Sequence, residues 1–283
     1  MKRKTITFIA LTLLFSCCIN TENPVPAREQ LYSQPKTVQF NYTINGEKAS
    51  MEYTVYEGLS NYLAGLERTI YCRPICPSNS SIQTRYIDNT PQIEALEAFS
   101  EAIDNLSSSP DERRKIAISL VQNIPYDEEA VETDNTIDRY PYQVLYDAKG
   151  VCGEKTRLLA YILRHQGYAT ALLYYHEEKH AALGLRCPVE YSTQNTGYCF
   201  IESTIPAIPT FDSGNYPGVG RIESKPEIIQ LSNGTQYYPV QDYLDAQEWA
   251  RLEEEINKSG GYLKQKDFDK WTLLKDKYGI PIE

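Results

Sequence analysis

Gly150-Val151-Cys152-Gly153-Glu154-Lys155-Thr156 runs directly into Arg157-Leu158-Leu159-Ala160-Tyr161-Ile162-Leu163. This stretch puts a cysteine at the first turn of a strongly apolar helix, just after a glycine turn. A helix N-terminus offers unpaired backbone N–H groups and positive potential. Both favour a thiolate, the form of cysteine that attacks. The helix runs from Cys152 to about Gln166, with Leu159 and Leu163 on the cysteine side and Gly167 as its stop. Three apolar runs follow and read as strands: Ala169–Tyr175, His180–Leu185 and Tyr198–Thr204. His180 opens the second and Glu202 lies in the third. Thiol, imidazole and carboxylate in that order suggest a nucleophile, its base and the group that orients the base.

Upstream, Lys36–Tyr56 alternates apolar and polar residues around Asn45-Gly46, a hairpin signal, with Val38, Phe40, Tyr42 and Ile44 on one face. Leu59–Ile70 reads as a helix, and Pro77–Ser81 as a Ser/Asn-rich turn. Thr90-Pro91 starts a helix with Ile93, Leu96, Phe99 and Ile103 at helical spacing. Ser109-Pro110-Asp111-Glu112 starts another with an N-cap, an N1 proline and an acidic first turn. Tyr126–Arg139 reads as a polar, acidic surface loop, whose Asp127–Asp138 segment is weakly suited to a cation. Ile205–Gly220 reads as loop, Glu227–Leu231 as a further strand, and Val240 onward as two charged helices broken at Gly260-Gly261.

The chain has 283 residues, 41% apolar, enough for one substantial core. Its start reads as an export signal: Lys2-Arg3-Lys4, then the short apolar run Ile6–Phe15. Leu14-Phe15-Ser16-Cys17 looks like a lipobox that makes Cys17 the lipidated first residue, although Phe15 is unusual at its position; a plain secretory signal cleaved nearby, or an uncleaved anchor, is the alternative. The expected division is a signal peptide (1–16), a tether (17–35), a hairpin and helical region (36–108), a catalytic core (109–235) and a C-terminal helical region (236–283). The hairpin region and Arg73 suit a separate subdomain that shapes access to the site. Without Lys2, Arg3 and Lys4 the balance is 25 basic to 38 acidic side chains. Such a surface repels phosphate backbones and argues against nucleic acid as partner. No nucleotide motif, glycine-rich phosphate loop or calcium loop is present, so no cofactor is expected.

Five cysteines lie beyond the Cys17-Cys18 pair. Cys72 and Cys76 are close in sequence, and Cys187 and Cys199 flank a polar segment that reads as a hairpin loop. Two disulfides from these four leave Cys152 as an odd thiol, a mark of reactivity in an exported chain. Spacing does not prove the pairing, and neighbouring thiols also suit a metal.

From about Val121 to Ile222 the chain resembles the transglutaminase-like cysteine superfamily, in particular its uncharacterised exported prokaryotic members. Val121-Gln122-Asn123-Ile124-Pro125-Tyr126 and Tyr140-Pro141-Tyr142-Gln143 are similar to the family's lead-in segments. Gly150-Val151-Cys152 is similar to its nucleophile turn, Lys179-His180-Ala181-Ala182-Leu183-Gly184 to its histidine strand, and Tyr198-Cys199-Phe200-Ile201-Glu202-Ser203-Thr204 to its acid strand. The resemblance implies an α+β fold with a papain-like core. In it a nucleophile helix packs on an antiparallel sheet, here with an N-terminal β-hairpin region and C-terminal helices added. It also implies hydrolysis or transfer at an amide bond of a peptide, cell-wall peptide or protein side chain through a thioester; with the lipobox reading, the expected place is the cell envelope, anchored to a membrane by lipid on Cys17. Cys152 attacks, His180 moves the proton and Glu202 fixes the imidazole tautomer. Two departures stand out: most members carry aspartate where this chain has Glu202, and the family's tryptophan near the oxyanion site is not evident. One oxyanion donor is the Cys152 backbone N–H; the sequence assigns no second.

Two other readings compete. His176-Glu177-Glu178-Lys179-His180 matches H-E-x-x-H, which on a helix holds zinc between two histidines, with Glu177 as base and Glu202 as a third ligand. That reading leaves Cys152 unexplained and joins two long helices through little more than Gly167-Tyr168. In the thiol reading, 176–179 is a turn and His176 a solvated neighbour of the site. The third reading is a binding module on the same fold without catalysis.

Overall fold

The computed structural model describes residues 24–70, 72, 74–133, 138–216 and 219–281. The signal segment, Cys17 and Arg73 lie outside the described residues. The elements in order are α1 (Arg28–Leu31), β1 (Pro35–Ile44), β2 (Glu47–Tyr56), α2 (Glu57–Ala64), α3 (Asn79–Ile87), α4 (Thr90–Asp104), α5 (Pro110–Gln122), α6 (Glu128–Glu132), α7 (Pro141–Asp147), α8 (Cys152–His165), β3 (Thr170–Tyr175), β4 (His180–Arg186), β5 (Tyr198–Ile201), β6 (Asn215–Tyr216), β7 (Gly220–Arg221), β8 (Glu227–Gln230), α9 (Val240–Ser259) and α10 (Gln265–Tyr278).

The chain is α+β with antiparallel sheets. The main sheet has the order β5-β4-β3-β8. Its register pairs Tyr175 with His180 across β3 and β4, and Leu183 with Ile201 across β4 and β5. Helix α8 packs on β4 and β3, with α3, α4, α5 and α7 against its other sides. Being enclosed all round, it buries every residue from Glu154 to Leu163. Leu158, Leu159, Ile162 and Leu163 have no exposed surface. At roughly 1.5–3 kcal/mol per buried leucine or isoleucine side chain, this helix is a large part of what holds the core together.

The β1–β2 hairpin turns at Asn45-Gly46 as the sequence indicates, with both residues at positive φ. It is not a separate subdomain. Phe40, Met51 and Val55 belong to the same buried cluster as α8, and Phe99 on α4 makes edge-on ring contacts with Phe40 and Tyr53 at 5.2 and 4.9 Å. A two-stranded hairpin has no core of its own, so its apolar face must be covered by a neighbour. The expected tether also ends early. Leu31 is buried in this cluster, and Arg28 pairs with Glu94 at 2.5 Å.

Several boundaries differ from the sequence reading for local reasons. The helix expected over Leu59–Ile70 stops at Ala64, because the Arg68 guanidinium folds back onto the carbonyls of Leu63, Ala64 and Leu66 and caps it. The expected turn Pro77–Ser81 is the start of α3, where the Ser78 hydroxyl accepts from Ser81 N–H. The acidic loop contains α6, capped by Asp127. Pro141 opens the short helix α7 where a simple lead-in is expected. Two 3₁₀ turns fill the loop between β4 and β5, and the tiny β6–β7 hairpin interrupts the long loop after Glu202. Disulfides join Cys72 to Cys76 and Cys187 to Cys199. They suggest an oxidising, extracytoplasmic setting. Among the described residues no helix is long and apolar enough to cross a membrane.

Candidate active site

The N-terminus of α8 is held from both sides. Gly150 forms a parallel bridge with Tyr126: its N–H donates to Pro125 O and its O accepts from Asp127 N–H, both at 3.2 Å. A Cβ on Gly150 would stand 3.3 Å from Glu154 Oε2, Lys155 Cγ and Val144 Cγ1, so a side chain before Cys152 would need these three to give by a few tenths of an ångström. The Glu154 carboxylate reaches back to Val151 N–H at 2.9 Å. It also accepts from Arg139 N–H at 2.7 Å and from the Arg139 guanidinium at 3.1 Å. Arg139 and Lys149 further clasp the buried Asp127. The acidic segment is thus engaged with cations of the chain itself at Asp127, where a loosely held metal was the sequence-based alternative.

Cys152 is the first residue of α8, is partly exposed, and is the free cysteine among the described residues. His180 opens β4 and has no exposed surface. Glu202 follows the last residue of β5, also fully buried. It sits in a tight turn, not in the strand where the sequence reading put it. The carboxylate curls back on this turn: Oε1 accepts from Ser203 N–H at 2.8 Å, and from Thr204 N–H and Oγ1–H at 2.7 Å each. Oε2 accepts from His180 Nε2 at 2.9 Å. With Nε2 taken, Nδ1 is the ring nitrogen left for Cys152. It makes no hydrogen bond of ordinary length, while the thiol interacts with the imidazole and with Ala181 N–H. The structure therefore brings Cys152, His180 and Glu202 together.

The charges reinforce one another. Burial pushes the Cys152 thiol up, but the interaction with the His180 imidazole, its positive charge and the Ala181 backbone outweigh it, and the net direction is down. Burial works against the His180 cation, yet the Glu202 charge and the thiol contact prevail and push it up to about 10. Glu202 is lowered against its burial by His180 and by the donors of its own turn. The arrangement favours thiolate, imidazolium and carboxylate in a row.

Several supporting groups were not assigned from the sequence. The Tyr126 phenol lies beside Cys152 and interacts with its thiol and backbone. Gln122 Nε2 donates to the carbonyls of Glu202 and Ala207 at 3.0 and 3.1 Å. The Thr156 hydroxyl lies 2.7 Å from Cys152 O, 3.0 Å from Ala181 O and 2.9 Å from Ser203 Oγ, joining helix, histidine strand and acid turn. The Tyr216 ring lies parallel to that of His180, with centroids 6.3 Å apart. Lys155 is fully buried one turn past Cys152. A charged residue three positions after the nucleophile in an apolar helix was the one visible signal for any of them.

The H-E-x-x-H segment is not helical. Pairing of Tyr175 with His180 makes residues 176–179 a four-residue turn, with Lys179 at φ 51°. His176 is exposed and pairs with Glu227 on β8 at 2.7 Å, while His180 Nε2 is occupied by Glu202. The two histidines do not share a helix face. Among the described residues no three His, Cys, Asp or Glu side chains gather at metal-holding distance. No protein-family profile and no curated protein matches this chain.

Proposed function

We propose that this protein is a cysteine-dependent acyl-transfer enzyme on a papain-like, transglutaminase-like core, acting on amide bonds of peptides or proteins outside the cytoplasm. The observation that carries this reading is a buried His180–Glu202 pair beside a free, partly exposed Cys152 at a helix N-terminus. The Cys152 thiolate attacks the amide carbonyl carbon, and the carbonyl oxygen gains the negative charge. His180 gives its proton to the departing amine nitrogen as the C–N bond breaks, leaving a thioester. Water or an amine then attacks the thioester, losing its proton to His180, and Cys152 leaves as thiolate. Water yields an acid and an amine acceptor yields a new amide. Lipidation at Cys17 would keep the enzyme on the membrane surface of the cell envelope.

The reading is tested with an activated ester, which needs no knowledge of the natural substrate. Incubation with p-nitrophenyl acetate gives a burst of nitrophenol and an acetyl adduct on the Cys152 peptide by mass spectrometry. A chain that forms no adduct, with a thiol no more reactive than an ordinary one, is a binding module instead.

The oxyanion needs donors at the place where its charge develops. Cys152 N–H is one. The Tyr126 phenol, which interacts with the Cys152 thiol and backbone, is the candidate for the other. Tyr126→Phe is expected to slow acetylation about 10- to 100-fold, somewhat less than loss of a well-placed oxyanion donor elsewhere. Burst kinetics check this; an unchanged rate removes Tyr126 from the mechanism.

The pH profile follows from the directions of the shifts. The thiol is lowered, so the reactive form builds up as pH rises through a value below the ordinary thiol range, near 8.5. His180 is raised to about 10, so its proton for the leaving group is lost only as pH rises through that value. Iodoacetamide alkylation at pH 7 is expected to be faster than that of an ordinary thiol. A rate that climbs only above about pH 8 contradicts this.

A further inference from the structure

Lys155 has no exposed surface and stands one turn beyond Cys152 on α8. Its Nζ donates to Ile124 O at 2.5 Å, Thr204 O at 2.7 Å and Gln122 O at 3.3 Å. An ammonium has three N–H donors and no acceptor, so these three carbonyls use every proton it carries. Among the described residues no carboxylate forms an ion pair with it; burial pushes its ammonium down to about 7, the Glu202 charge acts against that, and the three carbonyls favour the protonated form. Burying a cation is costly, and a leucine or methionine would fill an interior helix position without that cost. What an apolar side chain cannot do is serve carbonyls from two separate segments at once.

Those segments are the two flanks of the site. Gln122 ends α5, and Ile124 lies just past it on the way to Tyr126, which interacts with Cys152. Thr204 closes the turn whose first residue is Glu202, and its own N–H and hydroxyl hold the Glu202 carboxylate. Gln122 ties the same two segments directly, through the Glu202 carbonyl.

We infer that Lys155 is a positioning residue of the active site: its ammonium fastens the Glu202 turn and the Tyr126 segment to the nucleophile helix, so that a single buried cation sets how Glu202 meets His180 and how His180 meets Cys152. This rests on the Cys–His–Glu reading above.

The test is the rate of Cys152 alkylation by iodoacetamide from pH 5 to 9 in the full-length, disulfide-bonded protein. It compares wild type, His180→Ala, Lys155→Met and Lys155→Gln, each with its melting temperature. Lys155→Met is expected to slow alkylation at pH 6 about tenfold and to move the thiol midpoint up by about one pH unit. Lys155→Gln, which keeps two N–H donors, is expected to fall between it and wild type. A lower melting temperature with a wild-type pH profile overturns the inference and leaves the lysine as a strut of the fold. The same holds if both lysine variants fail to fold while His180→Ala folds. A wild type whose profile is that of an ordinary thiol, unchanged in His180→Ala, overturns the Cys–His–Glu reading itself and the inference with it.

Discussion

His180→Ala slows alkylation of Cys152 at pH 6 by about 10- to 100-fold. The size follows from thiolate populations. An ordinary thiol titrates near 8.5, so at pH 6 only about 0.3% of it is ionised. In the native site the imidazolium contact and Ala181 N–H hold the thiol below that range. Removing the ring removes the largest of the lowering interactions, while the raising effect of burial stays. A thiolate with a lower pKa is also a weaker nucleophile, which returns part of the gain in thiolate population. At pH 9 the two proteins are expected to react at similar rates. That crossover separates loss of activation from loss of access, since a collapsed cleft would slow the reaction at every pH. An equal rate at pH 6 would mean that His180 does not activate the thiol.

Phe99→Ala lowers the melting temperature by about 6–20 °C. Phe99 has no exposed surface and is the ring on which both hairpin strands rest, through Phe40 and Tyr53. Truncating a buried phenylalanine to alanine costs about 3–5 kcal/mol. In a chain of this size each kcal/mol corresponds to roughly 2–4 °C. The whole protein is expected to shift together, because hairpin and nucleophile helix share one buried cluster and Gly46 N–H bonds Lys277 O at the end of α10. Tryptophan fluorescence reports α9 and α10, where Trp249 and Trp271 stack with centroids 5.9 Å apart. Circular dichroism reports the whole chain. Coincident transitions in the variant support a single core, whereas a fluorescence transition left at the wild-type temperature would show that the hairpin region unfolds on its own.

Much of this architecture is legible in the sequence where a local signal and burial agree. Asn45-Gly46 announces a hairpin because both residues accept positive φ. Ser109-Pro110 announces α5 because cap, ring and helix geometry coincide. The apolar run after Cys152 announces α8 because its burial is nearly continuous. Elements were missed where a distant group decides. The end of α2 depends on Arg68 returning to the carbonyls, and no propensity encodes that. Glu202 was placed in a strand because Phe200-Ile201-Glu202 continues an apolar pattern. The chain turns there because the carboxylate takes the next two backbone N–H groups for itself. Of the candidate site, the juxtaposition of Cys152, His180 and Glu202 is legible from type and order. Lys155, Gln122, Thr156 and Tyr126 were not, since their tasks are defined by carbonyls, amides and rings far off in sequence.

The division of labour between the two oxygens of Glu202 has a consequence for what can occupy that seat. One oxygen meets three donors, Ser203 N–H, Thr204 N–H and Thr204 Oγ1–H, and the other faces the imidazole. A carboxamide of the same length has one accepting end and one donating end. Its oxygen would have to go to the three donors, because an NH₂ group there would meet them head-on. The NH₂ would then point at His180 Nε2, which could only accept. A neutral ring that accepts at Nε2 carries its proton on Nδ1, the nitrogen turned to Cys152, and a protonated nitrogen cannot take a proton from a thiol. In this chain the backbone turn after β5 thus selects a full negative charge over a neutral amide, and in doing so decides which nitrogen of a histidine on the neighbouring strand is free to act as base.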